Sequence, residues 1–164
     1  MITQIDLISL LIHFSLLQLL KAISQTQFRS RVFGPVGLYV TMKERYKKYG
    51  NAIEKVLFRT LHTFVVDNVE DRNRLVSMLR KANLYSKFHV IFQTFRGRYE
   101  PTPLPDSSLI PVSETINVQE DIIFNVLIDQ ARIDEIIVVE DERESDRKYD
   151  YLLLKMISIT YILP

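Results

Sequence analysis

Residues 7–20 are apolar apart from Ser9, His13, Ser15 and Gln18. Such a run predicts a helix, but it falls short of the about 20 residues a membrane span needs. Its length suits the core of a secretion signal, and Ala22 and Ser24 offer a small-residue cleavage site. Against that, no Lys or Arg precedes the run and Asp6 does. The preferred reading is a helix packed in the core or on a partner, ahead of a secretion signal, with a membrane anchor third. From Gly34 the pattern becomes regular. Residues 38–41 (Leu-Tyr-Val-Thr) read as a strand by their β-branched and aromatic content. A basic turn follows over 43–49. Asn51 then offers a helix N-cap, with Glu54 three residues on. Ile53, Val56, Leu57 and Leu61 recur at helical spacing and should face inward.

Phe64-Val65-Val66 predicts a short buried strand, and Asn68 caps the helix after it. Glu70 and Asp71 suit the positive end of that helix, Arg80 and Lys81 its other end, and Leu75, Val76 and Leu79 its apolar face. Residues 88–92 form the next strand. Pro101, Pro103, Pro105 and Pro111 make 93–114 a long loop without regular structure. A helix over 120–131 and a continuous apolar strand over 135–139 complete the series. Strands that alternate with helices predict an α/β fold with some parallel pairing. The run 140–150, with six acidic and three basic residues, reads as a solvated loop or helix face.

At 164 residues, with 47% hydrophobic and 25% charged residues, the chain has the make-up of one ordinary domain. Having no Cys, it can form no disulfide, thiolate nucleophile or Cys-ligated zinc site. The net charge of +1 conceals a strong asymmetry. Residues 29–98 hold 15 Lys/Arg against 5 Asp/Glu, and residues 99–164 hold 5 against 14. The basic half can attract a polyanion, unless the halves fold together and their fields cancel.

Gly34, Gly37, Gly50 and Gly97 never fall at the spacing of a phosphate-cradling loop, which argues against a nucleotide-hydrolysing or dehydrogenase site. His13, His62 and His89 are far apart, and His89 reads as structural within its apolar strand. Asp129, Asp134 and Glu135 flank a turn, a commonplace setting for carboxylates. The sequence places no nucleophile beside a base, so no catalytic, cofactor or metal residues are assigned. The basic positions differ. Lys43, Arg45, Lys47 and Lys48 are interleaved with Tyr46 and Tyr49, and Arg96 and Arg98 precede Tyr99. Cations beside rings suit single-stranded nucleic acid, although solvated stems on a surface loop give the same pattern.

Four short stretches in order carry a family resemblance: Phe33-Gly34-Pro35-Val36-Gly37 with the strand behind it; the helix Asn51-Ala52-Ile53-Glu54-Lys55-Val56-Leu57; Thr63-Phe64-Val65-Val66-Asp67-Asn68 with Asp71-Arg72; and Val126-Leu127-Ile128-Asp129 followed by residues 133–140. The set resembles the hinge domain of structural maintenance of chromosomes (SMC) proteins, most of all the sixth of the eukaryotic set. It implies an SMC hinge-like mixed sheet with flanking helices over residues 29–145, incomplete on its C-terminal side. Residues 1–28 form an unrecognised apolar helix and 146–164 an unassigned tail. Whole members of the family are ATPases with long coiled coils, yet this chain has no ATPase motif and should be no enzyme. The hinge implies heterodimerisation, here with the fifth member, and single-stranded DNA binding in repair and recombination on nuclear chromosomes. No small-molecule substrate or cofactor is implied. Lys43, Arg45, Lys47 and Lys48 are the first choice for DNA contact, Arg96 and Arg98 the second. The unrecognised ends are expected to be foreign sequence around part of a longer gene, and the missing half would leave a sheet edge unpaired. The rivals are a small α/β enzyme with a site near Asp129, Asp134 and the proline-rich loop, and a membrane-anchored or secreted protein using residues 7–20.

Overall fold

The computed structural model describes residues 4–104, 106, 109–139 and 160–162. Its elements run α1 (Gln4–Gln25), a 3-10 turn (Val36–Tyr39), β1 (Val40–Met42), a 3-10 helix (Glu44–Tyr49), α2 (Gly50–Leu61), β2 (Thr63–Val66), α3 (Val69–Lys81), β3 (His89–Phe92), β4 (Ile110–Pro111), α4 (Val112–Thr115), β5 (Ile116–Val118), α5 (Asp121–Ala131), β6 (Ile136–Val138) and β7 (Thr160–Ile162). They fall into two units. The first holds residues 1–36 and 62–95, the second residues 37–61 and 96–164.

The first unit is a β-α-β arrangement. β2 and β3 pair in parallel, from Thr63 opposite His89 to Val66 opposite Phe92, with α3 as the crossover. Every residue of β2 is buried, as its unbroken apolar run requires. Its other edge is met by Phe33, whose N–H donates to the Val65 carbonyl at 3.0 Å and whose carbonyl accepts from the Val65 N–H at 2.7 Å. Phe64 and Val66 join Leu75, Leu79, Leu84, Phe88 and Leu19 in one apolar cluster. α1 packs on this cluster through Leu16, Leu19, Leu20 and Ile23, an i, i+3, i+4, i+7 stripe. Its other side leaves Phe14 and Leu17 exposed. Among the described residues no helix is long and apolar enough to cross a membrane. β3 is an edge strand, pairing among the described residues with β2 alone, and Phe92 and His89 face outward.

The predicted cap of α3 is present: the Asn68 side chain accepts from the Asp71 N–H at 2.8 Å. Asp71 does more than complement the dipole. Its carboxylate is almost wholly buried and accepts from the backbone N–H groups of Arg29 and Ser30, each at 3.0 Å, and from the Asn68 amide at 2.6 Å. The chain entering the unit after α1 is thereby bonded to the first turn of α3.

In the second unit β1 pairs antiparallel with β5, and a three-stranded sheet runs β4-β6-β7. α5 is the buried centre, with every residue from Ile122 to Ile128 inside. Three expectations are corrected here. Asn51 is not a cap: Gly50 has right-handed helical angles and donates to the Lys47 carbonyl, so the 3-10 helix runs straight into α2 and Asn51 lies within it. Val56 does not face inward but is 45% exposed, because only the narrow stripe Ile53, Leu57 and Thr60 is covered. The end of the stretch 93–114 read as loop is regular instead, with β4 at 110–111 and α4 beginning at Val112, and the unassigned residues that follow form β5. Pro111 is tolerated because β4 lies at the edge of its sheet, where no donor is required of it. The acidic run 140–150 and the tail to residue 159 lie outside the described residues.

Candidate nucleic-acid interface

The four basic residues placed first sit at one end of α2. Lys43 precedes the 3-10 helix and its N–H donates to the Thr115 carbonyl at 2.9 Å, which fixes the turn to the body of its unit. A 3-10 helix has three residues per turn, so side chains at i and i+3 eclipse. That period sorts this segment into rows. Tyr46 and Tyr49 share the row turned inward, and Tyr49 is only 4% exposed. Arg45 and Lys48 share a second, exposed row. Glu44 and Lys47 share the third and form a solvent-facing ion pair at 2.7 Å. Each second-row cation lies over a tyrosine ring: the Arg45 guanidinium is 4.6 Å from the Tyr46 centroid and the Lys48 ammonium 5.0 Å from that of Tyr49.

The interleaving read from sequence therefore has a different meaning in three dimensions. The rings do not offer themselves to bases. Tyr49 is inside, and Tyr46 carries Arg45 on its face. Their work is to hold the exposed cations in place, each contact contributing about 0.5–1 kcal/mol at a solvent-facing site. What faces solvent is an ordered row of positive charge.

Arg96 and Arg98 lie elsewhere in the same unit. Arg96 is exposed. Arg98 is held: its guanidinium stacks 3.8 Å from the Phe124 centroid, donates to the Val118 carbonyl at 3.1 Å and lies 3.6 Å from the Asp121 carboxylate. Asn125, buried in α5, completes the staple by donating to the Gly97 carbonyl at 2.9 Å and accepting from the Tyr99 N–H at 2.7 Å. Arg98 thus fastens residues 97–99 to α5 while part of its charge is spent on Asp121. The sequence signal for this staple was a single amide in the apolar run 122–128.

The rival site also has a physical counterpart. A cleft of about 460 Å³ is lined by Pro101, Pro103, Leu104, Glu114, Phe124 and Asp134 among others. Burial pushes the Asp134 carboxyl upward, with further help from Glu135 and Asp129, against its own backbone hydrogen bond and the nearby Arg132. No histidine lines the cleft, and among the described residues no three His, Cys, Asp or Glu side chains gather as metal ligands would. His62 lies against the Phe88 ring at 5.6 Å in the first unit, and His89 is exposed on its strand.

Compared with known proteins, residues 29–148 match the family described as the SMC proteins flexible hinge domain. The chain belongs to the SMC hinge family. Its hinge region is 31% identical over 134 residues to structural maintenance of chromosomes protein 6 of Schizosaccharomyces pombe, covering 79% of this chain and 11% of the relative. The corresponding protein of Saccharomyces cerevisiae is 23% identical over 136 residues, covering 78% and 12%. The chain therefore spans about a tenth of the length of the curated relatives it matches. Among solved structures it resembles the crystal structure of the S. pombe Smc5/6 hinge domain, with a TM-score of 0.68, 28% identity, and coverage of 84% of this chain and 51% of that one. The hinge of Geobacillus stearothermophilus SMC shares the fold at a TM-score of 0.54 and 15% identity, covering 79% of this chain and 53% of that one. The hinge is a non-catalytic module of proteins that maintain chromosomes, and its mixed α/β fold is the one expected here.

Proposed function

We propose that this chain acts as the hinge of an SMC6-type protein, joining an SMC5-type hinge and holding single-stranded DNA during repair and recombination on nuclear chromosomes. The likeness to the S. pombe Smc5/6 hinge domain supports the choice of partner. The observation that carries the DNA reading is the ordered basic row of the 3-10 helix, two cations seated on inward-turned tyrosines beside the Lys47–Glu44 pair. Phosphates are met by Lys43, Arg45, Lys47 and Lys48. Arg96 adds charge, and Arg98 contributes mainly by fixing the segment that carries it. Replacing Lys43, Arg45, Lys47 and Lys48 together by Glu should weaken binding of a labelled oligothymidylate and flatten the dependence of log K on log salt, by about 0.7 for each phosphate no longer neutralised. An unchanged affinity and slope would sink the assignment. Co-elution with an SMC5-type hinge on a sizing column tests the partner, and separate elution would refute it.

A further inference from the structure

Residues 98–104 have no regular secondary structure. Glu100, Thr102 and Leu104 each precede a proline, which keeps them out of the helical region. Pro101 and Pro103 have their own φ fixed near about −65°. The stretch is thereby set on an extended, polyproline-like course, which needs no internal hydrogen bond. Among the described residues, 100–104 make no backbone–backbone hydrogen bond, and the Thr102 hydroxyl has no partner. Thr102 and Pro103 are both exposed. They also form the one Ser/Thr-Pro pair in the sequence.

We infer that Thr102 is the phosphate acceptor of a proline-directed Ser/Thr protein kinase, and that the added phosphate repels the carboxylates of the cleft the segment borders. A kinase groove takes its acceptor as extended chain, and here no hydrogen bond has to break first. Pro103 suits a groove that leaves the next backbone position without an acceptor, because it has no N–H to satisfy. The Thr102 Oγ attacks the γ-phosphorus of ATP. The new O–P bond forms as the bond to the β-phosphate oxygen breaks, ADP leaves, and the kinase's base takes the hydroxyl proton. Thr102 lines the cleft with the carboxylates of Asp106, Glu114 and Asp134 and a single cation, Arg98. Arg98 is already spent in part on Asp121, 3.6 Å away. A phosphate adds about −1.5 to −2 charges at pH 7. It turns the seat of residues 100–104 on the cleft from neutral contact into like-charge repulsion. The inference goes beyond the proposed hinge activity and does not depend on it.

The test incubates the full chain with a cyclin-dependent kinase and γ-labelled ATP, beside a synthetic peptide of residues 96–109, and maps the product by mass spectrometry. The folded chain should be labelled at Thr102 at the rate of the peptide. Every 1.4 kcal/mol or so of local opening would slow labelling about tenfold. A rate about tenfold or more below that of the peptide, or label only at other residues, would therefore overturn the site. Thr102→Ala and Pro103→Ala should each lose the label, and Thr102→Ser should keep it. Full labelling of Pro103→Ala would overturn the proline-directed assignment. Thermal melts by circular dichroism at low salt should place the phosphorylated chain about 2–4 °C below the unmodified one. The difference should shrink as salt screens the charges, and Asp134→Asn should recover part of it. An unchanged or raised melting temperature would overturn the repulsion.

Discussion

Asp71→Asn tests the least expected bond set in the first unit. The Asp71 carboxylate is 2% exposed and accepts from three donors: the N–H groups of Arg29 and Ser30 and the amide of Asn68. An asparagine has the same shape but only one acceptor oxygen and no charge. One backbone N–H would then face an NH2 group, and the remaining bonds would lose their charge assistance. Hydrogen bonds to a charged group contribute about 1.5–3 kcal/mol each, so the substitution should cost about 2–4 kcal/mol at pH 7. For a chain of this size that lowers the melting temperature by about 5–15 °C. The pH dependence gives an independent check. Burial pushes the Asp71 carboxyl up, but the bonds from Asn68, Arg29 and Ser30 and the charge of Arg74 outweigh it, leaving it below its ordinary 3.8. A depressed carboxyl adds stability above its unfolded value and loses it as pH falls through the folded one. The gap between parent and variant should be full at pH 7 and close only below about pH 4. Thermal melts by circular dichroism from pH 7 to pH 3 measure both. A shift under about 1 °C at pH 7, or a gap that widens toward pH 3, would refute the reasoning.

Gly34→Ala should destabilise by well over about 1 kcal/mol, because Gly34 has φ +132° and an added Cβ would lie 2.7 Å from the Phe64 Cα; urea titration measures it, and a neutral result would contradict the close approach. Asn125→Ala orphans the Gly97 carbonyl and the Tyr99 N–H, at a cost of about 1–3 kcal/mol, and should speed hydrogen exchange at Tyr99. Unchanged exchange there would mean that Arg98 alone holds the segment. Asp134→Asn should stabilise modestly at neutral pH: burial raises the folded carboxyl above its ordinary 3.8, so the penalty of its charge is full above that raised value and disappears as pH falls below the ordinary one. Melts at pH 7 and pH 3.5 check this, and a gain that persists at the lower pH would count against it.

Local patterns in the sequence decided much of the first unit. The unbroken run Phe64-Val65-Val66 could only be a strand covered on both faces, and Asn68 with Asp71 could only open a helix, since each outcome follows from neighbours in the chain. The same holds for α5, whose run from Ile122 to Ile128 called for burial. The order of the motifs was enough to point to the hinge family before any contact was known. What the sequence could not decide depends on partners far along the chain. β5 is three residues long and exists because Val40–Met42 offers it a ladder; no propensity in Ile116-Asn117-Val118 competes with that pairing. Asp71 looked like a dipole partner until the fold brought Arg29 and Ser30, some 40 residues away, onto its oxygens. The basic cluster was legible as charge, but whether its tyrosines faced bases or the core turned on a three-residue period set by the fold. Helical spacing alone could not separate Val56, left outside, from Ile53 and Leu57, because a helix covers only the arc its neighbours reach. Short-range patterning fixes which residues want burial; only tertiary packing decides which of them obtain it, and so which ring and which cations are left facing the solvent.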